Sequence, residues 1–217
     1  TFDTEHVADI EMEGGGSFHF DIMGTFSMSV GSGDPMHGFT VPETYTCGWP
    51  KSDAPVYAGD YLLSVGNTLP DGFFLDRCGE AVRLHDFAGK YLIIDISAVN
   101  CPPCQSMAEQ EPAFVEAMSS DGLEVEMITL LAPSLSAILD PTPTQTLLDW
   151  TEEFSLDSPV LADRGYGYWL AKEVLGDEFA YPAWIIVSPE LEVIEVGKGF
   201  SNFDKIGASI RSHAGAE

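Results

Sequence analysis

Tyr91-Leu-Ile-Ile-Asp-Ile-Ser-Ala-Val-Asn-Cys101-Pro-Pro-Cys104-Gln-Ser-Met107 is the stretch on which the reading of the whole chain turns. Its first six residues form a short apolar run interrupted only by Asp95, the pattern of a fully buried strand. Beyond it, Cys104, Met107, Ala108, Phe114, Val115 and Met118 recur at helical spacing through Ser119. A Cys-x-x-Cys pair therefore stands where a buried strand gives way to a helix. The first-turn amides of a helix lack intrahelical partners and its dipole end is positive, so a thiolate placed there is stabilised. Two intervening residues bring the second sulfur within disulfide reach of the first. Asn100 is set as the N-cap, and Pro102 and Pro103 fall in the first turn, where a missing N–H costs little.

Three chemistries use such a pair. A zinc site needs a second Cys-x-x-Cys or a His pair, and the sequence offers neither. A structural staple across so short a loop stabilises little. Thiol redox exchange is the reading that the placement favours. By its position Cys101 is the exposed nucleophile and Cys104 the buried resolving thiol, with Asp95, a carboxylate in a buried apolar strand, as the base whose pKa burial raises.

These residues resemble the strand and active site of thioredoxin-fold proteins, and more narrowly the TlpA/ResA-type periplasmic thiol–disulfide oxidoreductases. Asp95 stands six residues before the first Cys, where that family carries a buried Asp. Tyr181-Pro182-Ala183, ahead of Trp184-Ile-Ile-Val187, is similar to the family's cis-proline loop, and Val65–Asp76 with Gly79–Lys90 is similar to the opening segment of redoxin and TlpA-like domains. The likeness runs from about Gly59 to His213. It implies an α/β thioredoxin-like fold, a central mixed sheet flanked by helices. It also implies a cis Pro182 that presents the backbone of Tyr181 to an extended substrate, with Tyr181, Pro102 and Pro103 on the substrate side. No cofactor is expected beyond the redox-active disulfide, and no metal. The implied partners are protein thiol or disulfide substrates and a thiol electron donor. Two positions depart from the family: Asn100 replaces a Trp, and Met107 stands where several members carry Glu. Glu111 lies on the inner helical stripe, although a snorkelling surface acid is the plainer reading of it. The Thr-x-x-Cys site and Arg of a peroxidase are missing.

The chain has 217 residues, nine Lys plus Arg and a net charge of −26. That balance argues against nucleic acid or an anionic membrane as partner, and suits a solvated acidic surface. No run of eighteen apolar residues is present to span a membrane. The opening Thr1-Phe-Asp-Thr-Glu5 lacks the basic and apolar regions of a leader, as in a processed chain. Cys47 and Cys78, flanked by turn residues, suggest a second, structural disulfide and so a periplasmic or extracellular location.

Residues 1–58 lie outside the resemblance and read as a β-rich N-terminal extension to a domain at 59–217. Phe18, Phe20, Ile22, Gly24, Phe26, Met28 and Val30 alternate with Ser, His, Asp, Met and Thr, which predicts a half-buried strand with Gly24 as a bulge. Residues 17–30 either pair with the domain's own sheet, form a small hairpin against it, or connect to a second copy or an assembly partner. A non-catalytic structural or assembly protein on a thioredoxin scaffold is thus the alternative function. The His and Met residues of this region lack the regular spacing of a copper site. Downstream, the pattern predicts a hairpin at 72–84, strands at 123–131, 159–161, 182–187 and 192–197, and helices at 144–154, 166–175 and 203–213.

Overall fold

The computed structural model describes residues 8–11, 17–20, 26–27, 47–51, 57, 59 and 62–215, the first three segments as backbone only. The chain forms two compact units, Thr1–Glu43 and Thr44–Glu217.

In the first unit, β1 (Ala8–Glu11), β2 (Ser17–Phe20) and β3 (Phe26–Ser27) make an antiparallel sheet in that order. Phe20 pairs with Phe26 and His19 with Ser27. Of the strand and hairpin readings of residues 18–30, the chain takes the folded-back one, and Phe18 pairs with Ile10 of β1. Period-two alternation has the same phase in one long strand and in two paired ones, so it could not tell them apart. Ile22, Gly24, Met28 and Val30 lie outside the described residues, as does part of the proposed connector at 17–30.

In the second unit, β4 (Phe73–Leu75) and β5 (Ala81–Arg83) form the expected hairpin, with Phe74 opposite Val82. One turn of 3₁₀ helix, Leu84–Phe87, follows. Next come β6 (Tyr91–Ala98), α1 (Pro102–Ser120), β7 (Val125–Ala132), α2 (Thr144–Phe154), β8 (Val160–Ala162) and α3 (Tyr166–Leu175). The chain closes with β9 (Ala183–Val187), β10 (Val193–Lys198) and α4 (Asp204–Ala214). The sheet order is β10-β9-β6-β7-β8. β6, β7 and β8 are parallel, because helical crossovers separate them, while β9 and β10 run antiparallel. This is the thioredoxin-like mixed sheet flanked by helices that the sequence implied.

β6 is buried along its whole length, as its apolar run requires. Leu92, Ile94 and Ile96 pack on one face with Leu170, Ala171, Val82 and Phe87. Ile93 packs on the other face with Met107, Phe114 and Met118 of α1 and Ile206 and Ile210 of α4. Strand alternation puts Asp95 and Ser97 on the face of Ile93, toward α1. On β10, Gly197 lies opposite Trp184, whose indole covers the space a side chain would fill.

Residues 47–51 belong to the second unit and not to the extension in which the sequence placed them. Cys47 is disulfide-bonded to Cys78 in the β4–β5 turn, with Cα atoms 5.8 Å apart. Trp49 donates its Nε1–H to Asp76 at 2.9 Å, and Lys51 pairs with Glu80 at 3.2 Å.

Candidate active site

α1 is capped by Cys101 itself, with φ −109° and ψ 106°, and not by Asn100. Asn100 is used elsewhere: its Oδ1 accepts the Leu135 N–H at 2.8 Å, tying the β7–α2 loop to the start of the helix. Pro102 and Pro103 occupy the first two helical positions, so Cys104 carries the first helical N–H and donates it to the Cys101 carbonyl at 3.0 Å. Pro102 is exposed and Pro103 half-buried.

Cys101 and Cys104 are joined in a disulfide, with Cα atoms 5.2 Å apart. Cys101 is only 2% exposed, which corrects the expectation of an exposed nucleophile. It is covered because the pair sits in an apolar cluster with Ala98, Leu131, Leu147 and Trp150, edged by Ile138 and Tyr181. Apart from Ala98 at the end of β6, those residues come from β7, α2 and loops far along the chain, so little adjacent to the motif announces the cover.

Asp95 is 1% exposed at the centre of the sheet, between Thr129 of β7 and Trp184 of β9. Ser97 Oγ lies 2.7 Å from both carboxylate oxygens and donates to them, and Thr129 Oγ1 approaches at 3.4 Å. Burial pushes the Asp95 pKa up to about 7, although both hydroxyls pull it back.

The residue that sequence reasoning misjudged is Glu111. It lies seven residues after Cys104, two helical turns along the same face, and is 2% exposed. Ser158, from the loop before β8, donates to Oε1, while Oε2 has no partner. Burial is the main cause that lifts its pKa to about 8, with the charges of Asp95 and Glu126 adding. Its inner-stripe position was the available signal, and the partner 47 residues away was not legible.

The Tyr181–Pro182 peptide is cis, and the Pro182 carbonyl accepts the Gly199 N–H at 2.7 Å. Tyr181 packs on the disulfide cluster and meets Phe179 edge-on at 5.0 Å. Its hydroxyl is buried without a partner, and burial, together with Asp163, raises its pKa. Disulfide, helix start and proline loop thus converge, with the Asp95 carboxyl on the α1 side of the sheet.

Cys47, Asp76 and Cys78 are the one cluster of metal-type ligands among the described residues. Both sulfurs are already bonded to each other, and Asp76 accepts from Trp49, Cys78 and Glu80. That set is a structural knot, and the side chains of the earlier His and Met group lie outside the described residues.

Residues 65–196 match the AhpC/TSA family. The thiol-disulfide oxidoreductase ResA of Geobacillus kaustophilus is 26% identical over 102 residues, 47% of this chain and 53% of that protein. The chain thus spans about half the length of that relative. Among solved structures, a thiol:disulfide interchange protein DsbE from Chlorobium tepidum superposes with a TM-score of 0.54 at 17% identity, covering 71% of this chain and 99% of the other. The thioredoxin domain of a thiol-disulfide oxidoreductase from Bacteroides vulgatus gives 0.53 at 16%, covering 70% and 98%. These two likenesses establish the fold.

Proposed function

The chain belongs to the AhpC/TSA family, and on that premise we propose that it is a thiol–disulfide oxidoreductase that exchanges disulfides with proteins outside the cytoplasm. The observation that carries this reading is the Cys101–Cys104 pair at the start of α1, next to the cis-proline loop. The reduced pair works in two steps. The Cys101 thiolate attacks one sulfur of a substrate disulfide, forming a mixed disulfide and releasing the other substrate sulfur as a thiolate. Cys104 then gives its proton to the Asp95 carboxylate and attacks Cys101 Sγ. That step releases the second substrate thiol and leaves the Cys101–Cys104 disulfide that the structure holds. A thiol donor returns two electrons to the pair, so no bound cofactor is needed. Tyr181 and Pro182 offer the docking backbone, with Pro102 and Pro103 beside them.

The Cys47–Cys78 disulfide supports an oxidising, extracytoplasmic compartment. Among the described residues no helix is long and apolar enough to cross a membrane.

The test is trapping. Reduced and then incubated with a disulfide-bearing protein substrate, Cys104→Ser should accumulate a mixed disulfide through Cys101, while Cys101→Ser should trap nothing and lose turnover to background. A pair that stays oxidised in excess dithiothreitol, with no adduct on Cys104→Ser, would leave the scaffold reading in its place.

A further inference from the structure

Asp76, the residue after β4, makes a single antiparallel bridge to Leu161 of β8. Continued, that register would set Leu75 against Ala162 and Phe73 against Arg164, but no ladder forms beyond the bridge. A cavity of about 380 Å³ opens there instead, walled by Phe73, Phe74, Leu75, Leu147 and Ala162, with Arg164 at its margin. Phe73 and Leu75 are 63% and 49% exposed, so the wall is apolar surface left in water.

Arg164 is the anomaly. The chain has nine Lys and Arg against 35 Asp and Glu, and all nine cations are described residues. Lys51, Arg83, Lys90, Lys198, Lys205 and Arg211 each pair with a carboxylate. Arg77 lies over the Trp49 ring and Lys172 donates to Tyr168. Arg164 is exposed, and its guanidinium has no partner among the described residues, in a molecule with acids to spare. Two of the three hydroxyls that line the cleft are occupied: Thr142 donates to the Leu131 carbonyl at 2.5 Å, and Tyr166 to the carbonyls of Pro70 and Asp71, while Thr144 is the third.

We propose that this cleft binds a small apolar carboxylic acid, its aliphatic stem against Phe73, Leu75 and Ala162 and its carboxylate on Arg164. An apolar concavity of this size with a polar anchor is the ordinary form of a small-molecule site. A guanidinium flanked by apolar walls recognises a carboxylate by paired, charge-assisted hydrogen bonds. Leu147 belongs both to the cleft and to the apolar cluster that holds Cys101 and Cys104. The site stands apart from the thiol chemistry and does not depend on it.

The experiment titrates the full chain with octanoate, followed by calorimetry and amide chemical shifts. Saturable binding should shift Phe73–Leu75 and Ala162–Arg164, and Arg164→Gln should weaken it about tenfold or more. Octanol, which keeps the stem without the charge, should bind the unaltered chain no better than octanoate binds Arg164→Gln. Leu75→Asp, which puts a charge in the wall, should abolish binding, and a circular dichroism melt confirms that both variants fold. Equal affinity for octanol and octanoate, an unaffected Arg164→Gln, or shifts confined to other residues would overturn the proposal. So would binding of an apolar C-terminal peptide in the absence of octanoate binding.

Discussion

Asp95 and Glu111 are buried carboxyl groups with opposite degrees of satisfaction: Ser97 and Thr129 surround the first, whereas the second keeps one bare oxygen. Only the carboxylate form of Asp95 can take the proton of Cys104. Resolution of the mixed disulfide should therefore speed up as pH rises through about 7, the value to which burial brings Asp95. In stopped-flow measurements Asp95→Asn should resolve on the order of 10²-fold more slowly and lose that inflection. An unchanged profile would remove Asp95 from the proton path. Both groups hold protons in the fold that the unfolded chain releases, from ordinary values of 3.8 and 4.5 up to about 7 and about 8. Their contribution is thus intact below about pH 4 and is lost as pH climbs toward 8. Glu111→Gln keeps the shape and removes the titration. Urea unfolding at pH 5 and pH 8.5 should show the variant gaining on the parent by a few kcal/mol at the higher pH. No gain would mean that the carboxyl is not protonated in the fold. Asp95 was legible because a lone acid in an apolar run has few places to go but inward. Glu111 was not, since its burial depends on a serine brought in by β8.

Elements with a strong period were read correctly from the sequence, and those whose identity depends on a partner were not. The run before Cys101, the stripe after it and the turn at Arg77–Gly79 carried β6, α1 and the β4–β5 hairpin. β1, in an acidic stretch with no period of its own, exists only by pairing with β2. The β9–β10 ribbon shows how closely such pairing is fitted. Trp184 lies across Gly197, donates to the Gly199 carbonyl at 3.1 Å and has Lys205 over its ring at 5.0 Å. A Cβ at position 197 would fall inside the indole. Gly197→Ala should therefore cost about 1–3 kcal/mol, read as a lower Tm. An unchanged Tm would mean that the ribbon repacks freely.

For the molecule as a whole, charge is the dominant stress. With 35 acids and nine Lys and Arg, six of the cations already in ion pairs of which only Arg83–Asp71 is largely buried, self-repulsion outweighs what the pairs return. Raising salt from about 0.01 M to 1 M shortens the screening length from about 30 to about 3 Å, so Tm should rise over that range. A falling Tm would show that the ion pairs matter more than the net charge. The Cys47–Cys78 bond has a mechanical meaning as well. Cys47 lies four residues past the boundary between the two units, and the bond spans 31 positions. Tension arriving through residues 1–43 would be handed at Cys47 directly to the turn at Cys78, and the chain between them would carry no load. Oxidised, the protein is shorter under force by roughly 100 Å of extensible chain.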